Sequence, residues 1–166
     1  MEFLNGTQFH RRLIEIADAA GTEGMIGGQV VDLEAVKGPV SPEILAYIHK
    51  AKTAALFCAS VRMGAIAAQA GAEELAAISC FGQNAGLAFQ VVDDILDVES
   101  SSERLGKTAG KDAQQKKVTY PAVYGLERSK QIAAEFIGRA KASLDPFGER
   151  AERLEELADF LVARKA

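Results

Sequence analysis

Little in this chain is suited to extended structure. Runs of β-branched and aromatic residues are few, while alanine is abundant in a composition that is 48% apolar. That profile disfavours sheets and favours helices. Cysteine is scarce: Cys58 and Cys80 each lie in an apolar stretch, without CxxC spacing. Both are expected to be reduced, buried thiols, a disulfide between them being the lesser alternative. There is no excess of positive charge, with 19 Lys and Arg against 23 Asp and Glu. A nucleic-acid surface is therefore not expected. No apolar run is read as approaching a membrane span, and the opening residues MEFLNGTQFHRR carry no signal-peptide core. These absences together predict a cytoplasmic protein.

No internal repeat, low-complexity tract or composition break divides the chain, so residues 1–166 read as a single helical domain. Apolar positions Phe9, Leu13, Ile16 and Ala20 predict a helix over 8–35. Gly21, Gly24, Gly27 and Gly28 interrupt it and mark close approach by a neighbour or ligand. Ser41 caps a helix over 42–69 that has Pro42 at its first position, with Gly71 as its stop. A long helix follows over 72–99. The polar segment SSERLGKTAGKDAQQKKVT then leads to a short helix at YPAVYGL, one capped by Ser129, and a last one over about 150–164. The apolar face of that last helix is Leu154, Leu157, Ala158 and Leu161. The expected fold is an all-α, bundle-like domain.

The chemistry concentrates at the end of the 72–99 helix, in FQVVDDILDVE. One turn separates Asp93 from Asp97, placing like charges on one face, which stability alone does not favour. Gln83, Gly86, Gln90, Asp93 and Asp97 form one stripe; Phe81, Ala85, Ala88, Val92 and Ile95 form another. A solvated polar stripe is the ordinary explanation for such a pattern. Here apolar residues surround the aspartates, and no Lys or Arg lies three or four positions away to neutralise them. A carboxylate cluster of this kind suits Mg²⁺ shared with substrate phosphates better than Zn²⁺.

Basic residues follow in LGKTAGKDAQQKK: Lys107, Lys111, Lys116 and Lys117. The segment is not a Walker A loop, and reads equally as a closing, diphosphate-binding loop or as a solvated surface loop. Lys52 and Thr53 lie mid-helix among apolar residues; Lys52 either snorkels to solvent or points inward as an anion ligand. His49, one turn before Lys52, reads as a hydrogen-bonded structural histidine, and Gln29 and Asp32 are polar groups in an apolar segment.

GMIGGQVVDL, IHKAKTAAL, FGQNAGLAFQVVDDILDV and LGKTAGKDAQQKKVTYPAVYGLE resemble, in this order, motifs of the trans-isoprenyl diphosphate synthases, the polyprenyl synthetase family that includes farnesyl and geranylgeranyl diphosphate synthases. The resemblance covers about residues 24–128. It implies the C-terminal half of an all-α isoprenoid synthase fold around an apolar cavity. It also implies Mg²⁺-dependent condensation of an allylic prenyl diphosphate with isopentenyl diphosphate. Asp93, Asp94 and Asp97 would bind Mg²⁺. Lys52, Asp93, Asp94 and Lys107 would form the catalytic set, and Gln29, Thr53, Gln90, Lys107 and Lys117 would contact substrate. Family members are commonly homodimers packed through helices such as those at 24–67.

The family's first aspartate-rich motif has no counterpart in these 166 residues. The chain is therefore expected to be an incomplete enzyme, inactive alone and prone to self-association. A terpene cyclase, a non-catalytic diphosphate- or partner-binding module, and a bundle whose acidic cluster is only surface are the alternatives. The segment TYPAVYGLE resembles short-chain synthases more than long-chain ones.

Overall fold

The computed structural model describes residues 6–36, 41–105 and 119–164. Every element among them is helical: α1 (Gly6–Ala20), α2 (Met25–Ala35), α3 (Pro42–His49), a π-helical segment (Lys50–Ala54), α4 (Ala55–Ala67), α5 (Ala72–Leu105), α6 (Tyr120–Tyr124), α7 (Leu126–Ala142), a 3₁₀ segment (Asp145–Ala151) and α8 (Glu152–Ala163). The all-α expectation holds.

The long helix α5 is the axis of the bundle. Its second sequence stripe, Phe81, Ala85, Ala88, Val92 and Ile95, is buried throughout. Two core clusters meet along it. Toward its N-terminal end, Phe81, Ala85 and Ala88 pack with Ile66, Ile137, Leu144 and Leu161. Toward its C-terminal end, Val91, Val92 and Ile95 pack with Leu45, Ile48, Tyr120 and Ala133. Each such large side chain, removed from water, contributes about 1.5–3 kcal/mol before entropy is counted. The spacing of α5 from α4 is set by small residues, since a Cβ at Gly82 would stand 2.7 Å from Cys58 Cα.

The expectation that no apolar run reaches membrane-span length is corrected by α5. By length and composition alone, its Ala72–Ser100 stretch is long and apolar enough to cross a bilayer. A helix enclosed by neighbours on several sides needs the same composition, and the buried residues of α5 pack in the two core clusters.

Several boundaries differ from the sequence reading. The single helix expected over 8–35 is two, because the chain turns at Gly21–Gly24. The Gly24 amide donates to Gly21 O at 3.1 Å, and a Cβ at Gly24 would overlap the Ala19 carbonyl. Beyond that turn the helix resumes, and Gly28 makes the expected close approach. The Ser41 cap forms as predicted, with Ile44 N donating to its Oγ at 3.2 Å. Gly71 does not end α4: Gln69 does, in the left-handed region at φ 60°. Ser129 is no cap either. Helix α7 starts at Leu126, and Ser129 is buried within it, donating to Gly125 O at 2.8 Å. Leu157 is 43% exposed and leaves the predicted face of α8. Both cysteines are free, and only Cys58 is partly buried; Cys80 is exposed. Burial pushes the Cys58 thiol above its ordinary pKa, keeping it protonated.

Candidate functional site

The Lys52–Thr53 pair sits in the π-helical segment that joins α3 to α4. Such wide turns are uncommon and often mark functional positions. Gly28 of α2 packs against this backbone, where its Cβ, if present, would lie 2.8 Å from Lys52 Cα. The turn carrying the pair is thus held by direct contact with the glycine-rich helix. Lys52 Nζ reaches Asp32 Oδ2 on α2 at 2.6 Å, with both side chains partly buried. Thr53 turns toward α5 and donates to Gln90 Oε1 at 2.7 Å.

Gln90 passes the connection to Asp94, donating from Nε2 to Asp94 Oδ1 at 3.3 Å. Asp94 is fully buried, at 0% exposure. Its other oxygen, Oδ2, accepts from the Tyr120 amide at 3.0 Å and lies 3.3 Å from His49 Nε2. The Tyr120 ring lies against His49, with centroids 4.9 Å apart. His49 Nδ1 is buried without a partner. The tautomer with its hydrogen on Nε2 leaves only a lone pair there, a smaller loss than an unpaired buried N–H. Asp94 is therefore a hub joining α3, α5 and α6.

Its neighbour Asp93 points the other way. One turn from Asp97, it lies on the exposed side of α5 with its side chain 36% exposed, and Arg164 Nη2 pairs with its Oδ1 at 2.7 Å. The same guanidinium sits 4.1 Å from the centroid of the Phe89 ring and donates to Phe89 O at 3.4 Å. Asp97 is exposed, and Gln29 is exposed on α2. Among the described residues, no three His, Cys, Asp or Glu side chains gather closely enough to hold a metal by themselves. The oxygen donors of Asp93 and Asp97 nonetheless suit a hard cation such as Mg²⁺, and Asp93 already faces a positive group. Lys107 and Lys117 lie outside the described residues.

The environment of Asp94 has a measurable consequence at Tyr120. Burial, with smaller contributions from Tyr124 and Asp94, pushes the Tyr120 phenol up to about 12. The folded state thus holds this proton beyond the ordinary value of 10.0. Its contribution to stability is present in full below pH 10 and is lost as pH rises through about 12. Of the three tyrosines, Tyr120 is expected to ionise last in an ultraviolet titration. The Tyr120→Phe variant should lose that last step.

A sequence model described as polyprenyl synthetase matches residues 3–152. The chain belongs to the polyprenyl synthetase family. It is 48% identical over 152 residues to geranylgeranyl pyrophosphate synthase, chloroplastic, of Capsicum annuum, covering 90% of this chain and 41% of that one. An FPP/GFPP synthase of Zymomonas mobilis superposes with a TM-score of 0.81 at 28% identity, over 96% of this chain and 53% of the other. A geranyltransferase of Helicobacter pylori, solved with magnesium and isoprenyl diphosphate, gives 0.76 at 32% identity, over 96% and 52%. The chain therefore spans about half the length of the synthases it matches.

Within this polyprenyl synthetase chain, the structure joins Thr53, Gln90 and Asp94 in one network. It puts Lys52 against α2 and turns Asp93 outward. Sequence reasoning does not reach Arg164, which lies 71 residues from Asp93, beyond a search one helical turn either side. His49 is the buried structural histidine expected, with Asp94 of another helix as its partner. Asp32, a polar group in an apolar segment, is the partner of Lys52. A cleft of about 650 Å³ between α1, α4 and α5, lined by residues including Glu15, Lys50, Cys58 and Arg62, contains none of the predicted site residues.

Proposed function

We propose that this chain supplies the metal–diphosphate side of a prenyl-transferring site, in which an allylic prenyl diphosphate condenses with isopentenyl diphosphate. The observation that carries this reading is the opposed orientation of the adjacent aspartates: Asp94 anchors the fold while Asp93 stays accessible beside a cation. Membership of the polyprenyl synthetase family and likeness to a geranyltransferase solved with magnesium and isoprenyl diphosphate support it.

In this reading Asp93 and Asp97 hold Mg²⁺, and Asp94 acts from behind through Gln90 and the backbone of Tyr120. Bound there, Mg²⁺ supplies Lewis-acid stabilisation of the departing diphosphate. Lys52 offers a positive charge to the same diphosphate after exchanging its Asp32 partner, and the Thr53 hydroxyl adds a donor. Lys107, Lys117 and Gln29 complete the proposed substrate contacts. The apolar faces of α1 and α2 carry Ile14, Ile26 and Leu33, exposed at 59%, 52% and 63%. They are the proposed surface of a homodimer.

The 166 residues contain one aspartate-rich helix end. The expectation is consequently binding without condensation. Purified chain with Mg²⁺ and geranyl diphosphate should show saturable binding, yet release no pyrophosphate when isopentenyl diphosphate is added. Sustained release would show that the chain is complete in itself. Absence of binding would remove the reading.

A further inference from the structure

The carboxylate that faces outward from α5 is already matched by a cation of this chain. Arg164 arrives just beyond the end of α8, and its guanidinium is fixed by several contacts, one of them the bond to Phe89 O described above. Nη2 pairs with Asp93 Oδ1 at 2.7 Å, Nε donates to Leu161 O at 3.2 Å, and the group lies over Phe89 at 4.1 Å. The aromatic ring and the backbone carbonyl hold the arginine at the carboxylate independently of the ion pair. Both partners remain partly exposed, at 24% and 36% of their side chains, so an incoming ion can reach the pair without unfolding anything.

We propose that Arg164 is a built-in competitor for the divalent cation at Asp93: a latch that neutralises the carboxylate when the site is empty and withdraws when metal binds. This rests on the metal-binding reading above. Arg164 already neutralises the single charge of Asp93 from 2.7 Å, so a divalent cation taken on the same carboxylate meets like-charge repulsion from the guanidinium beside it. Occupancy by metal and closure of the arginine are therefore linked, and each weakens the other by the same factor. The Lys52–Asp32 pair has the same character on the phosphate side, so a metal–diphosphate pair would enter by exchanging ions rather than by filling bare charges.

The test uses Mn²⁺ alone as the probe, its free concentration followed by electron paramagnetic resonance, with the full chain and three variants. Arg164→Gln is expected to tighten Mn²⁺ binding by roughly three- to ten-fold, the scale of a partly exposed ion pair seated on a ring. Arg153→Gln on α8 removes the same charge but sits on Glu156 at 2.7 Å; it should leave the affinity close to that of the parent. Asp93→Asn should weaken binding in either background. In parallel, Mg²⁺ added to the parent should shift the Arg164 Nη–H resonances, which report the Asp93 pair, toward those of an unpaired arginine. That readout applies even if Arg164→Gln proves unstable. Equal affinities for the two glutamine variants, or an Arg164 resonance indifferent to Mg²⁺, would overturn the latch while leaving the metal site intact. Binding that ignores Asp93→Asn would overturn the metal site, and the latch with it.

Discussion

Asp94→Ala is expected to destabilise the chain by about 3–5 kcal/mol, the cost of removing one member of a buried charged network. Three donors lose their acceptor: the Tyr120 amide, Gln90 Nε2 and His49 Nε2. Each is left where water cannot replace it, because Asp94 is fully buried. A loss of that size is a large share of an ordinary domain's stability of about 5–15 kcal/mol. Asp94→Asn should cost far less, on the order of 1 kcal/mol. Its carbonyl can still accept from Tyr120. Flipping Gln90 and turning the Thr53 hydroxyl then lets the new amide donate where a carboxylate accepted. Urea unfolding followed by circular dichroism separates the two variants. Equal and small losses would mean that Asp94 does not hold α6 onto α5.

Gly28→Ala is expected to destabilise as well, although alanine is the better helix former by about 1 kcal/mol. The added Cβ would stand 2.8 Å from Lys52 Cα and closer still to its amide nitrogen. These are backbone atoms and cannot swing aside. Overpacking of this kind costs about 1–3 kcal/mol or more, which exceeds the propensity gain. The displacement also falls on the π-helical turn that presents Lys52 and Thr53, so diphosphate affinity should fall with stability. Gly64→Ala is the internal control. It lies inside α4 with nothing within 4 Å of its would-be Cβ, so propensity alone decides, and a gain of about 0.5–1 kcal/mol is expected. If both glycines respond alike in thermal melts, close approach at Gly28 is not what selects glycine there.

These expectations rest on features of uneven visibility in the sequence. The buried stripe of α5 follows from helical periodicity, and all five of its residues are in the core. The Ser41 cap is legible because the side chain that caps is adjacent to the helix it starts. The break at Gly21–Gly24 is harder to read, since apolar residues on both sides sustain helical spacing across it. Whether glycine there marks a turn or close packing depends on the Ala19 carbonyl, which only folding brings near.

The site shows the same division. Asp93 and Asp97 share a face by spacing alone, and Gln90 precedes them by one turn. The inward direction of Asp94 was available in principle, because it shares the side of α5 that carries Val91 and Ile95. Its chemical similarity to Asp93 masked that difference. Arg164, His49 and the Tyr120 amide could not be assigned from spacing, because each reaches α5 from a different helix. Long-range neutralisation is thus what a search confined to one helical turn leaves out. It changes the reading of the aspartates from a repelling pair in need of a cation to an inward anchor and an outward carboxylate already paired with Arg164.

The claim that the outward face of α5 holds a prenyl diphosphate through Mg²⁺ is tested most directly by calorimetric titration of geranyl diphosphate into the chain. The titration is run with Mg²⁺ and with a chelator, for the parent and for Asp93→Asn. The account predicts binding that requires Mg²⁺ and that Asp93→Asn weakens by roughly ten-fold or more, the scale of one charged ligand contact. Binding of equal strength in chelator, or unchanged by Asp93→Asn, would contradict it.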